Sequence, residues 1–101
     1  MTAMAETLPT RLTQMLGCRH PVIQTAMGWV ATPELVIAST HAGAFGFLAA
    51  AVMQVSECEA AIRSIKDAGN PPFGVNLHSF QVGAEDIIDL CIDHEVKAIS
   101  Y

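Results

Sequence analysis

The sequence predicts an α/β fold, the first part of a (β/α)8 barrel with about three βα units, a fourth strand and all strands parallel. Apolar runs begin at Val22, Phe45, Phe73 and Val96, a recurrence of about 25 residues that matches a minimal βα unit. The run from Phe45 to Val52 is continuous rather than alternating, as in strands covered on both faces. Between the runs lie segments with helical periodicity and clear helix-ending signals. Eight such units need about 200 residues, near the low end for a closed barrel. Residues 1–101 are therefore expected to be the N-terminal portion of one incomplete barrel domain that continues past Tyr101.

Thr10 to Gly17 is predicted as a short helix, with Thr10 as N-cap, Leu12, Met15 and Leu16 as its apolar edge, and Gly17 as a left-handed C-terminal cap. Pro21 leads into a buried first strand, Val22 to Ala26. Thr32 and Pro33 place an N-cap before a proline at the first helical position, where a missing N–H is harmless. Leu35, Ala38 and Ala42 recur at helical spacing, and Gly43 closes that helix. The second strand is Phe45 to Val52. Ser56 and Glu59 read as a capping box ahead of Ala61, Ile62 and Ile65, and Gly69-Asn70-Pro71-Pro72 ends the helix. The third strand is Phe73 to Leu77. A helix from about Ala84 to Glu95 turns Ile87, Ile88 and Cys91 inward and Asp86, Asp89 and Asp93 outward. Val96 to Tyr101 opens the fourth strand.

With 51% hydrophobic and 15% charged residues, the chain is more apolar than ordinary globular usage. No apolar run nears the roughly eighteen residues that cross a bilayer. Met1 to Arg11 lacks a basic stretch followed by an apolar one, so a cytoplasmic protein with no membrane partner is expected. The net charge is −5, and residues 51–101 hold eight acids against three bases. An acidic surface repels phosphate backbones, which argues against a nucleic-acid partner. Cys18, Cys58 and Cys91 show no CxxC and no histidine at ligand spacing. They read as buried small hydrophobes, and no metal site is expected.

Ligands in parallel α/β folds gather at the C-terminal ends of strands. The turn Ala26-Met27-Gly28 puts little side chain in the way of a flat ligand there. Met27 is either a ligand-turn residue or a core methionine above strand one. Asn76 is the strongly polar residue between Phe73 and Leu77, and a buried amide needs partners from a ligand or from a neighbouring loop. His78 shares strand parity with Asn76, as a substrate-contacting residue or an exposed strand-end histidine. Gln24 reads as a structural hydrogen-bonder, and Tyr101 closes strand four within reach of the same end. His20, His41 and His94 fall toward the opposite end. The glycines of Gly43-Ala44-Phe45-Gly46 precede a strand, whereas a dinucleotide fingerprint follows one.

Three phrases at successive βα spacing, PVIQTAMGWVATPEL, HAGAFGFLAA and PPFGVNLHSF, make the chain resemble the nitronate monooxygenase family from about Thr10 to Tyr101. The resemblance implies an FMN-dependent TIM barrel, a flavoprotein oxidoreductase that oxidises small alkyl nitronates with O2. It places the flavin against the main chain of Ala26, Met27 and Gly28, with Asn76 as a polar contact. It puts the catalytic histidine and the phosphate loops beyond Tyr101, so residues 1–101 alone are expected to be inactive. The FMN-dependent enoyl-acyl-carrier-protein reductases share the fold and much of the pattern and give an alternative. A third reading is a non-catalytic partial barrel whose open edges lead to self-association. Thr25-Ala26 before the methionine and Trp29 after Gly28 depart from the family's usual phrase, and Trp29 would narrow or cover the pocket.

Overall fold

The structure, a computed structural model, describes residues 7–101; the N-terminal reading over residues 1–6 lies outside them. The described elements run α1 (Arg11–Leu16), β1 (Ile23–Gln24), α2 (Pro33–His41), β2 (Phe45–Ala49), α3 (Val55–Asp67), β3 (Gly74–Asn76), α4 (Ala84–Asp93) and β4 (Ala98–Ser100). All strand pairs are parallel, in the spatial order β1-β2-β3-β4. Each strand therefore lies beside its predecessor, as the barrel reading requires.

Local chemistry sets the boundaries. The Thr10 hydroxyl accepts the Thr13 N–H at 3.2 Å and the Thr13 hydroxyl accepts the Thr10 N–H at 2.8 Å, while Gly17 closes α1 at φ +75°. In α2 the Thr32 side chain makes no capping bond. The Glu34 carboxylate instead accepts from its own N–H and from Thr32, which holds it below the usual carboxylate range. The predicted Leu35, Ala38 and Ala42 stripe is not the buried one: Val36 is fully buried and Ile37 packs on the core, while Ala38 and Ala42 are exposed. Leaving a methyl group in water is a small loss, so the larger aliphatics decide which way the helix rolls.

Helix α3 begins earlier than predicted. Glu57, not Glu59, reaches back to its start, accepting the Gln54 N–H at 3.3 Å. Glu59 lies inside the helix and pairs with Arg63 at 3.6 Å. In α4, Ala84, Ile87 and Cys91 form the buried stripe, and Ile88, expected inward, is exposed because it sits about 100° further around the helix. The strands are shorter than predicted. β1 spans only Ile23–Gln24 and lies at the edge of the four described strands, where Val22 and Ile23 are open to solvent. β2 ends at Ala49 and gives way to a single 3-10 turn, Ala50–Val52.

The core fills the sheet face beneath the helices. Val36, Leu48, Ile62, Ile65, Val75, Leu77 and Ile87 are sealed there. Cys58 and Cys91 join them; burial pushes the Cys58 thiol up to about 12, with Cys91 nearby adding to it, and the Cys91 thiol up to about 11. Cys18 is only half-buried, its Sγ 3.3 Å from the His20 carbonyl oxygen. A Cβ on Gly46 would come within 3.3 Å of Val36 Cγ1, whereas one on Gly74 would overlap the rings of Phe45 and Phe47. Gly74 and Asn76 therefore lie on the face turned away from the helices, with Ala98 and Ser100 as their register partners.

The end of the sheet where strands begin is tied by main-chain acceptors. Arg19 and His20 N–H groups both reach the Gly43 carbonyl at 3.0 Å, His41 Nε2 lies 3.0 Å from the Ala68 oxygen, and Lys66 Nζ donates to the His94 carbonyl at 2.6 Å. The three histidines read as structural lie here.

Candidate functional site

The loops at the other end are built differently. After β1 the chain folds into a turn in which the Met27 carbonyl accepts from Val30 at 3.0 Å and from Ala31 at 2.8 Å. Trp29 takes the third position of that turn at φ +62°, where glycine or asparagine is preferred. Such a conformation costs an ordinary L-residue about 1–2 kcal/mol, and the Trp29 side chain is 81% exposed, so packing does not repay it. Among the described residues Met27 is 43% exposed. Among the described residues, the N–H groups of Met27, Gly28 and Trp29 reach no acceptor. They form a short row of free donors beside a residue without a side chain.

Neighbouring loops hold this turn in place. The Ala49 N–H donates to the Ala31 carbonyl at 3.1 Å. A Cβ on Gly28 would come within 3.2 Å of Val52 Cγ1, so the turn sits close over the 3-10 segment. Gln81, which sequence reasoning did not single out, clamps the third loop: its Nε2 donates to the Ala50 carbonyl at 3.2 Å and its Oε1 accepts the His78 N–H at 2.7 Å. Gln24 clips β1 to its neighbour, donating to the carbonyls of Thr25 at 2.6 Å and Phe47 at 3.1 Å. Its buried Oε1 finds no partner among the described residues.

Asn76, half-buried, ends β3. Its Nδ2 donates to Ser100 Oγ at 2.8 Å and to the Ser100 carbonyl at 3.3 Å. Ser100 is the second residue of the candidate site that the sequence reading missed, since a serine in a short strand carries no signal of its own. Asn76 is in register with Ala49, which places it at the same end as the Ala26–Gly28 turn. The parity argument for His78 does not carry through, because β3 stops at Asn76. His78 opens a turn closed by Gln81 at 3.0 Å, and its ring stacks on exposed Phe80 with centroids 5.1 Å apart and planes 7° from parallel. Tyr101 is exposed beside a mainly apolar hollow of about 340 Å³ lined by Leu77, Ala84, Ile88 and Ile99. Leu77 and Ala84 belong to the core beneath the helices, so this hollow is separate from Asn76. No group of three or more metal-binding side chains occurs among the described residues, and no described helix is long and apolar enough to cross a membrane.

The fold defines the class: successive parallel βα units, the first part of a TIM barrel, with the candidate site at the strand ends. Within that class, the chain belongs to the nitronate monooxygenase family, whose family model matches residues 9–99. It is 45% identical over 94% of its length to a (3aS,4S,5R,7aS)-5-hydroxy-7a-methyl-1-oxo-octahydro-1H-indene-4-carboxyl-CoA dehydrogenase of Rhodococcus jostii, covering 27% of that protein. It is 36% identical over 75% of its length to a nitronate monooxygenase of Pseudomonas aeruginosa, covering 22% of that one. Among solved structures, FabK from Thermotoga maritima superposes with a TM-score of 0.86 at 31% identity, over 92% of this chain and 30% of FabK. The enoyl reductase domain of MlnA from Bacillus amyloliquefaciens gives 0.78 at 28%, over 95% of this chain and 24% of the other. The chain thus spans about a quarter of the length of the curated relatives it matches.

Proposed function

We propose that the protein is an FMN-dependent oxidoreductase whose cofactor lies against Ala26, Met27 and Gly28 and is contacted by Asn76. The observation that carries this reading is the turn itself. Three consecutive N–H groups without acceptors stand at a strand end beside a residue lacking a side chain, and free main-chain donors suit the carbonyl and ring-nitrogen acceptors of a flavin. Bound FMN supplies the electron and hydride chemistry, which side chains cannot perform. The chain contributes position: Gln81 locks its loop to the 3-10 segment, Ala31 holds its loop to the end of β2, and the rings of Phe45 and Phe47 pack against Gly74 on the face that carries Asn76.

For the substrate, an acyl thioester is favoured. The relatives at 45% and 44% identity are both named as carboxyl-CoA dehydrogenases, and one structural neighbour is an enoyl reductase domain. The apolar rim of Met27, Trp29, Val30 and Phe80, all exposed, suits a large acyl group. The second reading is oxidation of a small alkyl nitronate by O2, favoured by the family match. Steady-state assays of the whole polypeptide separate them. Turnover of a CoA thioester coupled to a nicotinamide cofactor supports the first. Oxygen-dependent loss of propionate 3-nitronate without nicotinamide supports the second.

A further inference from the structure

We infer that Ser100 is a positioning residue: it turns the Asn76 amide so that its oxygen faces the ligand, and the site takes a hydrogen-bond donor there. The inference deepens the flavin reading and rests on it for the identity of the ligand. Its basis is the polarity of the groups. Ser100 Oγ lies 2.8 Å from Asn76 Nδ2, and the Ser100 carbonyl oxygen lies 3.3 Å from the same nitrogen. A carbonyl oxygen only accepts, and this one already takes the Leu77 N–H at 3.0 Å. Flipping the amide would set its oxygen against that acceptor, so the nitrogen is committed to β4. Asn76 Oδ1 makes no hydrogen bond to any described residue and is the end left for a ligand. The carbonyl fixes which end of the amide faces β4, and the hydroxyl, making the shorter of the two bonds, holds the amide there.

The two halves of the site therefore differ in sign. The turn after β1 offers main-chain donors at Met27, Gly28 and Trp29, while the end of β3 offers an acceptor. FMN carries two kinds of donor able to meet that acceptor, the imide N–H of its ring and the hydroxyls of its ribityl chain. The shared requirement is an N–H or O–H aimed at Asn76 Oδ1.

Fluorescence titration of the whole polypeptide tests this with FMN, with a 3-deaza flavin whose C–H replaces the imide N–H, and with 2′-deoxy-FMN. Ser100→Ala is expected to weaken FMN binding about tenfold, and Ser100→Thr, which keeps the hydroxyl, to stay within about twofold. One analogue binds the wild type less well and loses that disadvantage on Asn76→Ala: the 3-deaza flavin if the ring donates, 2′-deoxy-FMN if the ribityl chain does. Unchanged binding by Ser100→Ala, an equal loss in Ser100→Thr, or the same analogue preference in wild type and Asn76→Ala overturns the proposal. A wild type with no affinity for FMN ends the flavin reading. Proton exchange at the Asn76 side-chain amide then decides the Ser100 claim by itself: slow in the wild type and fast in Ser100→Ala supports it, and equal rates overturn it.

Discussion

The two faces of the sheet differ in kind. Beneath the helices, Val36, Leu48, Ile62, Ile65, Val75 and Ile87 are fully buried in one continuous apolar layer. On the other face, Gly74, Asn76, Ala98 and Ser100 follow the strands toward an end where donors stand free and Trp29 holds a left-handed backbone. The first is closed by apolar contacts, while the rim of the second carries exposed main-chain donors and a strained turn. Natural sequences break local rules mainly at functional sites.

The largest effect expected from breaking that contrast is on the packed face. Ile62→Ala removes a side chain sealed between α3 and the sheet and is expected to lower stability by about 2–5 kcal/mol. Asn76→Ala, on the other face, should stay within about 1 kcal/mol of the wild type. Thermal melts of both variants check this, and similar losses would erase the distinction between the faces.

Titration of the buried thiols gives an effect that grows with pH. Cys58 and Cys91 are raised from 9.0 to about 12 and about 11. Above pH 9 the unfolded chain releases these protons and the folded chain keeps them, so stability falls as pH rises. The expected slope is about 1.4 kcal/mol per pH unit for each thiol, ending where the folded thiols themselves ionise. Denaturant midpoints between pH 8 and pH 11 should show the decline, and Cys58→Ala should reduce its slope.

The smallest effect falls on the strained turn and has the opposite sign. Trp29→Gly places at φ +62° a residue that accepts it freely and is expected to stabilise the fold by about 0.5–1 kcal/mol. A lower melting temperature would mean that the exposed indole packs against something that raises stability.

Much of the packed face was legible in the sequence, because caps, breakers and apolar runs are local signals. Thr10 and Gly17 mark α1, Pro33 opens α2, and Gly69 to Pro72 end α3 where expected. Errors came where two local signals competed. Ser56-x-x-Glu59 looked like a cap, yet the 3-10 turn at Ala50–Val52 lets α3 begin earlier, with Glu57 as the back-reaching residue. Ile88 sat one position from the true stripe. At the rim, Asn76 stood out as a polar residue in an apolar run, and the Ala26–Gly28 turn stood out by its small residues. Ser100 and Gln81 did not, because their importance comes from pairings over 24 and 31 residues that no local pattern encodes.

The central claim is that the rim at Ala26–Gly28 and Asn76 holds a flavin, and the most direct measurement is the flavin content of the purified whole polypeptide. Heat release followed by chromatography is predicted to give one FMN per chain. Asn76→Ala should lose a large share of that FMN, and Gly28→Val, whose side chain enters the crowded space beside Val52, should lose most of it, with both variants still folded by circular dichroism. A colourless wild-type protein that takes up no added FMN, or variants that retain it in full, would contradict the account.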